Sequence, residues 1–147
     1  MKFLGIIQFL SIASALASSH RRAQPLEIQG LSANQYSNIT LSTLHFTVHD
    51  PSTDVTDDCN VSWNTSSINQ PGLAPRKCLR GQFEFGFRYG IGNIENFTLV
   101  VQQVNGSAQG SSVVTAYRRN PDWICLQNPV QGVKERCVWN GTLSINV

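Results

Sequence analysis

Charge is scarce in this 147-residue chain, with Asp, Glu, Lys and Arg together making up 14% of it. A soluble domain usually carries about a quarter. The shortfall excludes a coiled coil and a charge-driven disordered chain. Net positive charge is missing as well. Lys2, Arg21 and Arg22 are three of the 11 basic residues, so from Ala23 onward eight basic residues face nine acidic ones. That balance excludes a strongly basic nucleic-acid binder, and no nucleic-acid partner is expected. Beyond the first residues no apolar run approaches ~20, so no membrane span is expected. No C-x-x-C, G-x-S-x-G, H-E-x-x-H, P-loop or dinucleotide fingerprint occurs. No window of about a dozen residues keeps a helical apolar stripe. There is no internal repeat, no linker and no low-complexity stretch.

What the N-terminus does have is a targeting pattern. Lys2 precedes an apolar run from Phe3 to Leu16, and Ala15-Leu16-Ala17 gives a small-x-small cleavage site. Residues 1–17 therefore read as a signal peptide and the protein as secreted and extracellular. A short segment, 18–24, follows. Within it Arg21-Arg22 is a dibasic pair of the kind processing proteases cut, and equally an ordinary exposed charge pair. Residues 25–147 make one domain, since the length allows no second full-sized core.

The chain's 4 cysteines, Cys59, Cys78, Cys125 and Cys137, all follow the leader. An even count in a small secreted domain reads as two disulfides, for which three connectivities exist. Short loops favour Cys59–Cys78 and Cys125–Cys137, each contributing about 3 kcal/mol by restricting the unfolded chain. Zinc is disfavoured because His45 and His49 lie in a different segment from the cysteines. No metal or cofactor is expected. Six N-x-[ST] sequons, at Asn38, Asn60, Asn64, Asn96, Asn105 and Asn140, make a glycoprotein the expectation.

The body of the chain alternates with period two, which means strands. Leu44, Phe46 and Val48 alternate with His45, Thr47 and His49, while Ile39, Leu41 and Thr43 are in the other phase. A bulge is therefore expected between Thr43 and Leu44. Phe83, Phe85, Phe87 and Tyr89 alternate with Gln82, Glu84, Gly86 and Arg88, giving an aromatic face turned inward. Phe97, Leu99 and Val101 follow after a Gly90-Ile91-Gly92-Asn93 hairpin connection. Val113–Tyr117 and the segment from Cys137 to Val147 supply further strands. Asp57-Asp58, Ser66–Lys77 with Pro71-Gly72, and Gln127–Glu135 read as loops. Short strands with frequent turn signals predict an all-β fold, a single small antiparallel barrel or sandwich with two disulfides.

Candidate chemistry is sparse. His45 and His49 share the outer face of a strand and lack a third ligand or a nucleophile. Carboxylate pairs can be drawn from Glu84, Glu95, Asp122 and Glu135, and spacing singles out no two of them. Glu84 and Arg88 share one strand face, which suits a secreted ribonuclease, but no histidine follows position 49 to act as its acid. Candidate partner-surface residues are Glu84, Arg88, Arg118, Arg119 and Trp123, because Arg and Trp dominate protein interfaces. Trp123 has a second reading, packing beside the Cys125–Cys137 bridge.

The order of pieces carries a resemblance. Leu26-Glu27-Ile28 is followed by Leu44–Val48, Cys59, Cys78 and the aromatic strand Gln82–Phe87. Then come Val113–Tyr117, Trp123-Ile124-Cys125, Cys137 and Gly141–Ile145. This order resembles the Alternaria major-allergen family of secreted fungal β-barrels. The resemblance implies a compact barrel with two internal disulfides in the local pairing, and no established enzymatic activity. It further implies an elicitor, effector or allergen-like role, with a plant defence protein such as a thaumatin-like protein as partner. The Cys59/Cys78 loop is longer than the family's usual one. The family founder's extra subunit-joining cysteine is absent, so no disulfide-linked dimer is implied. Two readings stand: a non-enzymatic protein that binds a host protein or small apolar ligand, and a ribonuclease-like protein, active or dead.

Overall fold

A computed structural model describes residues 24–66, 74–115 and 121–147. The expected signal peptide, Arg21-Arg22, the Pro71-Gly72 turn, Ala116-Tyr117, and Arg118 and Arg119 lie outside the described residues. The described residues contain ten strands and no helix. They are β1 (Leu26–Tyr36), β2 (Leu41–Asp50), β3 (Val55–Asn64), β4 (Arg76–Lys77), β5 (Phe83–Phe87), β6 (Asn96–Gln103), β7 (Gln109–Thr115), β8 (Trp123–Val130), β9 (Val133–Trp139) and β10 (Leu143–Ile145).

Every pairing is antiparallel. The larger sheet runs β3-β2-β1-β9-β8, with β10 also paired to β1, and the smaller runs β4-β5-β6-β7. The sheets do not close on one another. Of the expected barrel or sandwich, the fold is the sandwich, with the two expected disulfides; the closed barrel that the family resemblance implies is not formed. The sheets approach closely at β7 and β10, where a Cβ on Gly110 would run into the Ile145 side chain and the Asn146 carbonyl. Glycine is required there by contact, not by torsion.

Period-two alternation decides which side chains meet between the sheets. Leu26, Ile28, Leu31, Ala33, Leu44, Phe46, Val48, Phe83, Phe85, Phe87, Leu99 and Val101 are all buried. Four edge-to-face contacts thread this core, Phe46–Phe85 at 5.1 Å, Phe85–Phe87 at 6.2 Å, Phe87–Phe97 at 5.7 Å and Phe97–Trp123 at 5.9 Å between ring centroids. Such geometry sets the positive edge of one ring against the negative face of the next. Two local disulfides form: Cys59–Cys78 pins β3 to the β4–β5 connection of the smaller sheet, and Cys125–Cys137 pins β8 to β9. Cys125 and Cys137 are direct cross-strand partners.

Four local expectations are revised. Tyr89 leaves the aromatic face, because β5 ends at Phe87 and Gly90, with φ at 75°, turns the chain outward. The β2–β3 register is unbroken from Leu41 to Asp50, so no bulge separates Thr43 from Leu44. The irregularity belongs to β1 instead, between Gln29 and Ser32, where Gly30 has φ at 59°. Asp57-Asp58 is strand, not loop. Asp57 is buried because its carboxylate accepts the backbone N–H groups of Arg80 (2.8 Å) and Gln82 (2.9 Å), which holds the turn before β5. Finally, Gln127–Glu135 is a hairpin: β8 runs to Val130 and β9 begins at Val133, with Gly132 at φ 85° in the turn.

Candidate functional site

At one end of the sandwich the inward rows turn polar. Ser42 of β2 pairs with Gln35 of β1, Gln35 with Glu135 of β9, and Glu135 with Gln127 of β8. Four adjacent strands thus present Ser42, Gln35, Glu135 and Gln127 side by side, with buried Trp63 next to Ser42 on β3. Facing them is the connection between β5 and β6, which contributes Gly92, Asn93, Ile94 and Glu95 to a shared cavity of about 330 Å³. The connection is anchored from below. Ile91 and Ile94 are buried, and the Trp123 indole N–H donates to the Ile94 carbonyl at 3.1 Å. Asn93 Oδ1 accepts the Glu95 backbone N–H at 2.7 Å, which orients Glu95.

Glu135 is 5% exposed and Ser42 1%. The Gln127 amide donates to one Glu135 oxygen at 2.5 Å. Burial, a hydrogen bond with the Glu95 carboxyl and the charge of Glu95 push Glu135 up to about 7, against the pull of Lys134 and Gln127. Two carboxyls within hydrogen-bonding reach cannot both ionise cheaply, and the rise falls on the buried Glu135. The Ser42 hydroxyl lines the same cavity and has no hydrogen-bond partner among the described residues. Beneath the row, the Glu135 carboxylate and both sulfurs of Cys125 and Cys137 lie within 4.8 Å of one another. The sulfurs are bonded to each other and offer no thiolate, so this cluster is not a metal centre.

A second feature occupies the outer face of β8 and β9. Ile124 (48% exposed), Leu126 (58%) and Val130 (59%) of β8, which among the described residues pairs on one side only, form a strip with Val138 (38%) of β9. With Pro129, Arg136, Trp139 and Asn140 they line a groove of about 510 Å³. The rest of that sheet face is polar: the row through Val138 and Ile124 continues as Ser32, His45 and Asn60.

The residues singled out in the sequence are scattered. Glu84 and Arg88 do share a shallow groove on the outer face of the smaller sheet. Gln102 donates to Glu84 at 3.2 Å, and Arg88 donates to Ser111 at 3.3 Å. His45 is exposed on the opposite sheet, so it does not meet them. His49 contacts Glu27 (3.1 Å) and Asp54 (3.2 Å), and those carboxylates raise its pKa. Trp123 is corrected from surface to core: it is buried, stacks edgewise on Phe97 and spends its N–H on Ile94. Of the four carboxylates that spacing left unranked, Glu95 and Glu135 are brought together. All six sequon asparagines, Asn38, Asn60, Asn64, Asn96, Asn105 and Asn140, are exposed. Sequence reasoning missed the polar row. Its visible trace was the phase break before Leu44, which is Ser42 standing at an inward position.

The fold and sites define an extracellular-type, disulfide-pinned β-sandwich. No protein-family model, curated protein or solved structure matches the chain.

Proposed function

We propose that the chain is a secreted, non-enzymatic binding protein that docks a protein partner on the β8–β9 strip. The carrying observation is that Ile124, Leu126 and Val130 of β8, which pairs on one side only among the described residues, gather with Val138 of the adjacent β9 on an otherwise polar sheet face. An unpaired edge offers backbone donors and acceptors to an added strand, and the apolar side chains add area to the contact. The Cys125–Cys137 bridge stiffens this edge, which lowers the ordering cost of binding. The resemblance to the Alternaria major-allergen family supports an effector, elicitor or allergen-like role. A plant thaumatin-like defence protein is the partner to try first.

The test is surface plasmon resonance of the secreted protein against a purified plant thaumatin-like protein. Leu126→Asp and Val138→Asp should weaken binding at least tenfold, about 1.4 kcal/mol, with unchanged melting curves. Binding that survives both substitutions overturns the reading. The ribonuclease reading has one observation in its favour, the Glu84/Arg88 groove. RNA cleavage by pure protein that is lost in Glu84→Ala would establish it over the binding reading.

A further inference from the structure

We infer that the polar end cavity, separate from the β8–β9 strip, is a binding site for a neutral polyhydroxy compound of monosaccharide size. Three observations carry this independently of the partner reading. First, the cavity is lined by a buried hydroxyl, Ser42 Oγ, that has no hydrogen-bond partner among the described residues. A buried polar atom left unpaired is unfavourable to the fold, so its presence at an inward position of β2 fits a group held for a ligand. Second, the donors and acceptors come as one register row, Ser42, Gln35, Glu135 and Gln127, opposed by Asn93 and Glu95. Strands hold these groups at fixed spacing, which is the preorganisation that small-ligand sites need.

Third, charge and size select the ligand class. Glu135, with its pKa at about 7, stays partly protonated near neutral pH, and Lys134 at the same cavity adds a compensating positive charge. A cation would meet Lys134, and an anion would meet Glu95. An apolar molecule would leave the Ser42 hydroxyl without a partner. A bare metal ion is also too small, because about 330 Å³ holds roughly ten water-sized groups. Hydroxyl groups, each a donor and an acceptor, match a row of hydroxyl, amide and half-protonated carboxyl groups.

The probes are glucose, mannose, galactose and mannitol, each titrated to about 50 mM against enzymatically deglycosylated, isotope-labelled protein. Amide shifts in ¹H–¹⁵N spectra are the readout. At least one probe should shift the amides of Ser42, Gln35 and Glu135 saturably, with a millimolar Kd. Glu135→Ala and Ser42→Ala should each weaken it at least fivefold, and Glu84→Ala, on the far sheet, should not. If Glu135→Ala fails to fold, Ser42→Ala alone decides. The inference is overturned if no probe shifts these amides, if binding survives Ser42→Ala, or if calcium chloride shifts them and the sugars do not. Each outcome is independent of whether a protein docks on β8.

Discussion

Leu44–Ala33–Cys137–Cys125 and Ser42–Gln35–Glu135–Gln127 are neighbouring rows on the same four strands, and both point between the sheets. The first is sealed: Leu44, Ala33 and Cys137 are at most 1% exposed, and the row ends in a disulfide. The second opens into a cavity and includes a hydroxyl without a partner among the described residues. Backbone geometry treats the two rows alike, since alternation turns both inward. What separates them is the facing layer. Phe85 and Phe87 of β5 supply rings to the core, whereas the connection after β5 supplies Asn93 and Glu95 to the polar end. An inward position is therefore core or site according to what the opposite sheet brings to it.

The comparison breaks hardest where the packed region is emptied. Phe85 stacks on both Phe46 and Phe87 and is 1% exposed. Phe85→Ala is expected to destabilise by roughly 3–5 kcal/mol through lost burial and the cavity left behind. An unchanged denaturant midpoint would show that the ring chain is not the core. Next in size is the bridge that ends the sealed row. Replacing Cys125 and Cys137 together by Ala releases a 12-residue separation in the unfolded chain. The expected loss is about 3 kcal/mol in chemical denaturation, with frayed hydrogen-exchange protection confined to β8 and β9. Loss of protection spread evenly over both sheets would contradict the local role assigned to this bridge.

Much of the sealed region was legible in the sequence. Period two announced the inward faces of Phe83, Phe85 and Phe87, and short loops announced both disulfides. The failures share a cause, which is that their partners are distant. Asp57 looks solvated until Arg80 and Gln82 bring their N–H groups to it. Tyr89 continues an alternation that the Gly90 turn ends. Trp123 has interface chemistry but finds Phe97 and the Ile94 carbonyl first. The cavity was half legible. Glu95 and Glu135 stood among four carboxylates, and only the packing of the β5–β6 connection onto β9 selects them. Ser42 was visible only as a break of phase.

A smaller effect sharpens the contrast through pH. The folded pKa of Glu135, about 7, lies above its unfolded value near 4.5. The folded protein therefore binds more protons between these values. The stabilisation from neutral Glu135 is fully present below 4.5 and is lost as pH rises through about 7. Wild-type stability should fall across that window by on the order of 1–3 kcal/mol, and Glu135→Gln should flatten the fall. Thermal melts at pH 5 and 8 measure it: the variant should match wild type at the lower pH and exceed it at the higher. Equal slopes in the two proteins would mean that the fold does not hold Glu135 protonated. His49, raised above 6.5 chiefly by Glu27, loses its contribution in the same direction as pH rises past its folded value. His49→Gln is therefore the control that keeps the two titrations apart.

The smallest expected effect is the most discriminating. Ser42 and Thr47 are hydroxyl residues of the same strand, facing opposite ways. Thr47 Oγ1 donates to Asp58 at 2.7 Å across to β3, while Ser42 Oγ, more deeply buried, has no hydrogen-bond partner among the described residues. Removing a hydrogen-bonded hydroxyl typically destabilises by about 0.5–1.5 kcal/mol, and to a carboxylate somewhat more. Removing an unbonded buried hydroxyl deletes a desolvated dipole and leaves no orphan behind, so Ser42→Ala should be within about 0.5 kcal/mol of wild type or slightly more stable. Burial alone would rank the two substitutions in reverse order. Denaturant titrations of Ser42→Ala and Thr47→Ala, run side by side without added ligand, decide between these rankings. Should Ser42→Ala prove the costlier of the two, the hydroxyl has a structural partner, the polar row is a satisfied part of the fold, and the claim that it waits for a ligand falls with it.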